Sequence, residues 1–229
     1  MIRISVKHDL DKLIAQVGRI GREQIPFATA LALTKTAQEV QKALPAALER
    51  ELDRPTEFTK RGTFMVPARK NTLTAVVGFK DRQAEYMRYQ IEGGARAPKK
   101  KALRLPGEVV LNEYGNLPKG TIDRLIAAAK AGKYGAVVRK RLGVGDRRKK
   151  AGDLALFYGQ PNGHPGLPVG IWRRMPGNPG TLVPVIVFPK AVAHYRPRFK
   201  FREAVERVVR AEFPQQFAAA FDQAMRTAR

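Results

Sequence analysis

Cysteine is absent from this chain of 229 residues, which removes disulfide scaffolding, thiolate nucleophiles and cysteine-based metal sites together. Histidine is nearly as scarce. His8, His164 and His194 are the three present, and none stands in the HExxH or HxxxH spacing that puts two imidazoles on one helical face for zinc. His164 falls in the turn NGHPG and His194 in AVAHYRP, contexts that suit turn or packing histidines. No stretch approaches the roughly 18 consecutive apolar residues of a membrane span. The opening MIRISVKHDLDKL has no apolar signal-peptide centre, so a mature cytoplasmic start without a membrane partner is expected. Acids are the last shortage. Asp and Glu number 20 against 43 Lys and Arg.

That imbalance leaves a formal net charge of +23. Such an excess does not dictate a fold, but it predicts an anionic partner, because uncompensated charge opposes compaction and draws polyanions. Hydrophobic residues still make up 44%, enough for a folded core. The charge is concentrated. From 94 to 150 there are sixteen Lys or Arg against four acids, a net +12 in 57 residues. Three runs dominate: Lys99, Lys100 and Lys101; Arg139, Lys140 and Arg141; and Arg147, Arg148, Lys149 and Lys150. These ten are the candidate set for contact with DNA phosphates or with acidic neighbours, since phosphate contact needs charge and reach but no base-reading motif.

Hydropathy patterning predicts an α+β fold, with N- and C-terminal helices flanking a mostly antiparallel sheet. A single domain over 1–229 is expected, with 94–150 as a basic insertion or loop region carrying one short helix. MIRISV alternates as a short strand, and Leu10, Leu13, Ile14 and Val17 keep helical spacing. Pro26 suits the first position of a longer, Ala-rich helix that Pro45 bends and that fades by Asp53-Arg54-Pro55. TFMVPAR and the alternating Leu73, Ala75, Val77 and Phe79 read as a hairpin, with Pro67 marking the first strand as an edge. Residues 82–92 return to helical spacing through Tyr86, Tyr89 and Gln90, and Gly93-Gly94 ends them. TIDRLIAAAK sets Ile122, Leu125, Ile126 and Ala129 on one side of the short helix. Three strands follow, at Leu154–Tyr158, Val169–Arg174 and Leu182–Phe188, and Pro184 requires an edge or a bulge in the last. The end is helical, and Pro214 is expected to kink that helix or start a new one.

Catalytic constellations are missing. RLGVGDRRKK has glycines and cations but not the GxxxxGKS/T pattern of a phosphate loop. Asp81, Glu85, Glu92, Glu108, Glu113 and Asp153 form no clustered motif for metal-assisted hydrolysis, so no catalytic residue, metal or cofactor is expected. A metal-dependent nuclease is the lesser alternative. A stand-alone, sequence-nonspecific DNA-binding accessory protein is the stronger one, and an RNA-associated protein is a further reading. Tyr114, Tyr134, Phe157, Tyr158 and Trp172 are candidate stacking platforms among the cations. Trp172, with Arg173 and Arg174, reads equally as an assembly anchor or, for the indole, as a core tryptophan. Phe213, Phe217 and Phe221 belong to packing, within the monomer or across an interface.

Three segments resemble a known family. QIPFATALALTKTAQEVQKAL is similar to the early Ala-rich helix of the minor tail and tail-completion proteins of long-tailed bacteriophages, the lambda minor tail protein Z group. GLPVGIWRRMPG followed by TLVPVIVFPKAVAHYRPRFKF resembles their sheet region, and FREAVERVVRAEFPQQFAAAFDQAM their closing helix. The likeness is weakest over Ile91–Lys150. It implies a virion protein, made in the host cytoplasm, at the neck or head-proximal end of the tail. There it would complete the tail and join it to the capsid while lining or contacting the DNA path. Other neck and tail proteins, the phage genome and a homo-oligomeric ring, with hexameric symmetry the natural expectation, would be its partners.

Overall fold

A computed structural model of the chain describes residues 1–5, 19–98, 102–130, 156–162, 164–175 and 178–227. The expected helix around Leu10–Val17 lies outside these residues. The fold is α+β: long helices at both ends of the chain, and strands that pair antiparallel between them. The strands are shared among three separate sheets. The chain divides into two compact units, Met1–Gly94 with Tyr195–Arg229, and Ala95–His194. The segment 94–150 therefore opens a unit that also takes in the three later strands.

In the first unit, β1 (Ile2–Ser5) and β2 (Thr63–Val66) flank β3 (Thr74–Phe79) in a three-stranded antiparallel sheet. Period-two alternation turns Ala75, Val77 and Phe79 inward, and all three are buried. The hairpin forms as its pattern predicts, with β2 at an edge and Pro67 just beyond it.

Helix α1 (Arg19–Glu51) covers the inner face of that sheet. Leu33, Ala37, Val40, Leu44 and Leu48 share a core with the strand residues, Met87, Phe199 and Phe201. Pro26 does not start α1. The helix begins seven residues earlier and runs through both Pro26 and Pro45. A proline inside a helix forfeits one hydrogen bond and costs about 3 kcal/mol, and burying a large aliphatic side chain returns about 1.5–3 kcal/mol. Several such side chains on one helix outweigh two prolines.

A single turn, α2 (Glu57–Lys60), is capped by Thr56, whose Oγ1 accepts from the Thr59 amide at 3.3 Å. Helix α3 (Asp81–Ile91) follows β3. Its buried positions are Gln83 and Met87, one turn apart, with Tyr86 packed beside them. The stripe expected through Tyr86, Tyr89 and Gln90 is thus rotated. Gln83 enters the interior because its Nε2 donates to the Phe58 carbonyl at 3.0 Å, which satisfies a polar group that patterning assigns to solvent. Gly93 and Gly94 then end the element at φ of 75° and 104°.

The last helix, α5 (Phe201–Thr227), continues through Pro214 without restarting. It lies antiparallel along α1. The Glu51 carboxylate at the end of α1 accepts from the Lys200 amide at 2.8 Å, at the start of α5. Ala28 and Ala32, near the other end of α1, meet Ala220 and Ala224 near the end of α5, all four fully buried. Alanine on both sides lets the helix backbones approach closely, and Phe217 and Phe221 close the flank of the seam.

Short strands β4 (Gly94–Arg96) and β9 (Ala193–Tyr195) form a two-stranded ribbon where the chain passes between the units. The second unit is a four-stranded antiparallel sheet in the order β5 (Leu105–Pro106), β8 (Asn178–Val187), β7 (Gly170–Met175), β6 (Leu156–Gly159). Helix α4 (Thr121–Lys130) lies on one face, and Leu125, Leu156, Ile171, Val185 and Ile186 form the core, with Ile122, Ile126 and Ala129 packed against it as their spacing predicts. Strand β8 is central, so Pro184 is not at an edge. The bulge is how the sheet accommodates it: Ile171 pairs with Ile186 and Trp172 with Pro184, which leaves Val185 as the extra residue. On the other side the Pro184 carbonyl accepts from the Glu108 amide at 2.8 Å and Val185 from Gly107 at 2.9 Å.

Candidate functional site

The two units differ sharply in charge. Ala95–His194 holds nineteen Lys and Arg against five acids, a net +14 in 100 residues. The remaining 129 residues hold twenty-four against fifteen, a net +9. Several cations of the first unit are matched locally. Lys60 Nζ sits 2.7 Å from Glu49 and also pairs with Glu57, Lys42 pairs with Glu39, and Arg202 and Arg210 both reach Glu206. The Lys60 bond holds the Glu57 carboxyl below its ordinary value, and the two carboxylates hold the Lys60 ammonium above its own. In the second unit Arg173 binds Glu108, with Nε 2.9 Å from Oε2.

A cleft of about 820 Å³ lies on the second unit, between the sheet, α4 and the turn before β7. The register dictates what lines it. Tyr158 pairs with Ile171 and Ile171 with Ile186, so Tyr158 stands on the same face as the buried isoleucines. Two residues beyond Ile186 and just past the end of β8, Phe188 falls on that face too, its ring centroid 6.2 Å from that of Tyr158. Pro106 pairs with Ile186, and the pairing continues as the Leu103 amide donates to Pro189 at 3.0 Å, which brings Arg104 level with Phe188. Ile122, Asp123 and Ile126 of α4 form a second wall. The third is the turn before β7, where Leu167 donates to His164 at 3.0 Å and Gln160 Nε2 to Pro165 at 2.9 Å. Lys190 lies at the rim. Among the described residues, Arg104, Lys190 and Asp123 have no hydrogen-bond or ion-pair partner, and all three are exposed.

The ten cations of the three dense runs lie outside the described residues. Their chain neighbours do not: Ala102, next after Lys101, lines the cleft, and α4 ends at Lys130, ahead of the other two runs. Trp172 is 4% exposed, opposite Phe157 and Pro184 within its own sheet, so the indole belongs to the monomer core. Arg174 holds its guanidinium 5.3 Å over the Phe157 ring. Phe213, Phe217 and Phe221 are half-buried along α5, with successive ring centroids 5.9 and 6.2 Å apart. Of the aromatic candidates, Tyr158 is the open one, at 44% exposed. Tyr134 lies outside the described residues and Tyr114 is half-buried in the turn closed by Asn112. Arg104, Lys190 and Asp123 carry no local sequence signal. Strand pairing and helix placement bring them together.

Among the described residues, no three His, Asp or Glu side chains converge as a metal would require. His164 and His194 are both exposed. No helix among the described residues is long and apolar enough to cross a membrane. No known protein family, curated protein or solved structure matches the chain.

Proposed function

We propose that this protein is a non-enzymatic structural component of a bacteriophage neck or head-proximal tail. It completes the tail, joins it to the capsid in several copies arranged as a ring, and turns its basic unit toward the genome. The supporting observation is the concentration of charge: the unit of Ala95–His194 carries +14 in 100 residues on a small sheet-and-helix body, against +9 in the remaining 129. Phosphate contact through lysine and arginine is indifferent to sequence, and a conduit needs that indifference, because base reading would retain the DNA. The unit that holds the long helices offers shape and apolar area for neighbours.

Two measurements test this reading. Purified full-length protein should bind two unrelated DNA duplexes with equal affinity, falling steeply between about 50 and 300 mM salt. Disrupting the reading frame in the phage that encodes it should leave capsids and tails that fail to join, with joining restored by the protein supplied in trans. Joined, infectious particles without the protein would refute the structural role. Retained DNA binding in that case would favour the stand-alone accessory protein.

A further inference from the structure

We infer that the cleft of the second unit is a docking site for an extended, acidic and apolar peptide segment of a partner protein. This inference stands whether or not the chain contacts DNA. Four observations carry it. The floor is the continuation of a sheet's core face: Tyr158 and Phe188 stand on the face of the buried isoleucines and line the cleft, with Tyr158 44% exposed, so apolar surface lies open beside the core. The walls are aliphatic side chains and prolines, including Ile122, Ile126, Leu167 and Pro168, which accept inserted side chains.

Charge supplies the third observation. Arg104 and Lys190 have no partner among the described residues, in a unit that already carries +14, so complementarity requires acid in the occupant. The fourth separates peptide from nucleic acid. Tyr158 and Phe188 meet at 58°, which presents no flat platform for successive bases, and the Asp123 carboxylate can accept peptide N–H groups. At about 820 Å³ the cleft is too small to admit a duplex and large enough for several peptide side chains.

The probe is a fluorescein-labelled octapeptide that alternates Asp with Leu and Phe, titrated with the full chain and read by anisotropy. Its controls are an Asp/Gly octapeptide of equal charge, a Lys version of the probe, and labelled oligo-dT of eight nucleotides. We expect saturable binding of the Asp/Leu/Phe peptide, with Tyr158→Ala and the double change Arg104→Glu, Lys190→Glu each weakening it about ten-fold or more at unchanged thermal midpoint. The Lys peptide should not bind, and the Asp/Gly peptide should bind about ten-fold more weakly. Equal binding of the Asp/Gly peptide, or insensitivity to both variants, would reduce the effect to general attraction by a +23 surface and overturn the inference. Tighter, competitive binding of oligo-dT would overturn it in favour of single-stranded nucleic acid.

Discussion

Among the described glycines of the second unit, Gly107 has the least room. A methyl group added there would lie 2.1 Å from the Pro184 carbonyl oxygen and 2.9 Å from its carbon, both backbone atoms that no side-chain rotation can move aside. Gly107→Ala must therefore push β5 away from the bulged stretch of β8. Two hydrogen bonds are at stake, Gly107 N–H to Val185 at 2.9 Å and Glu108 N–H to Pro184 at 2.8 Å. Each is worth about 1 kcal/mol net, and displacing packed backbone adds about 1–3 kcal/mol. Restricting the unfolded chain returns about 0.4–1 kcal/mol. The expected loss is about 2–4 kcal/mol. Trp172 is the one tryptophan in the chain and lies in the affected unit at 4% exposure, so its emission reports the unfolding of that unit. With urea slopes of about 1–3 kcal/mol/M, the fluorescence midpoint should fall by about 0.7–4 M. Gly166→Ala is the control: nothing lies within 4 Å of the added methyl, and the midpoint should hold or rise slightly. A Gly107→Ala midpoint indistinguishable from that control would refute the close-approach argument.

The alanine seam gives the next expectation. Ala32→Leu overfills the fully buried contact with Ala220 and Ala224 and should cost about 1–3 kcal/mol or more, read as a lower midpoint of the helical circular-dichroism signal; an unchanged midpoint would mean that the helices do not meet there. A third expectation concerns pH. Glu57 is held below its ordinary value of 4.5, first by its bond to Lys60, so its stabilising contribution is complete above 4.5 and is lost as pH falls through the folded value. The thermal midpoint of Glu57→Gln should therefore lie slightly below wild type at pH 7, and the gap should close on acidification and in high salt. A gap that widened with acid would contradict that sign.

What could be read from residue order was what depends on local period. Ile122, Leu125, Ile126 and Ala129 recur at helical spacing and pack as that spacing requires, and the alternation of Ala75, Val77 and Phe79 yields the hairpin. Pro184 was legible as a disturbance, and the bulge at Val185 is its resolution. Misleading signals came from residues whose local preference is outvoted by distant contacts. Pro26 favours a helix start, yet Ile25, Ala28 and Leu33 around it are fully buried, and that burial carries the helix past it. Gln83 reads as a surface residue until its amide finds the Phe58 carbonyl. The division into units is illegible for a different reason. One of them is assembled from the two ends of the chain, and no local pattern records that Met1–Gly94 folds with Tyr195–Arg229. The cleft is hidden likewise, since Arg104 and Phe188 become neighbours only through the β5–β8 pairing.

The distribution of charge and core argues for a partner more firmly than the total charge does. Among the described residues, the first unit builds its core from two long helices and a sheet and adds an alanine seam, and the second buries five aliphatic residues in its core and Trp172 as well. Self-repulsion grows with the square of the net charge, so +14 opposes the folding of Ala95–His194 as a free body. Any polyanion or acidic segment bound to the folded second unit relieves that repulsion and stabilises it by mass action. Binding of such a partner and folding of Ala95–His194 would then be one linked equilibrium, in which the charge that weakens the free unit is the same charge that strengthens its binding.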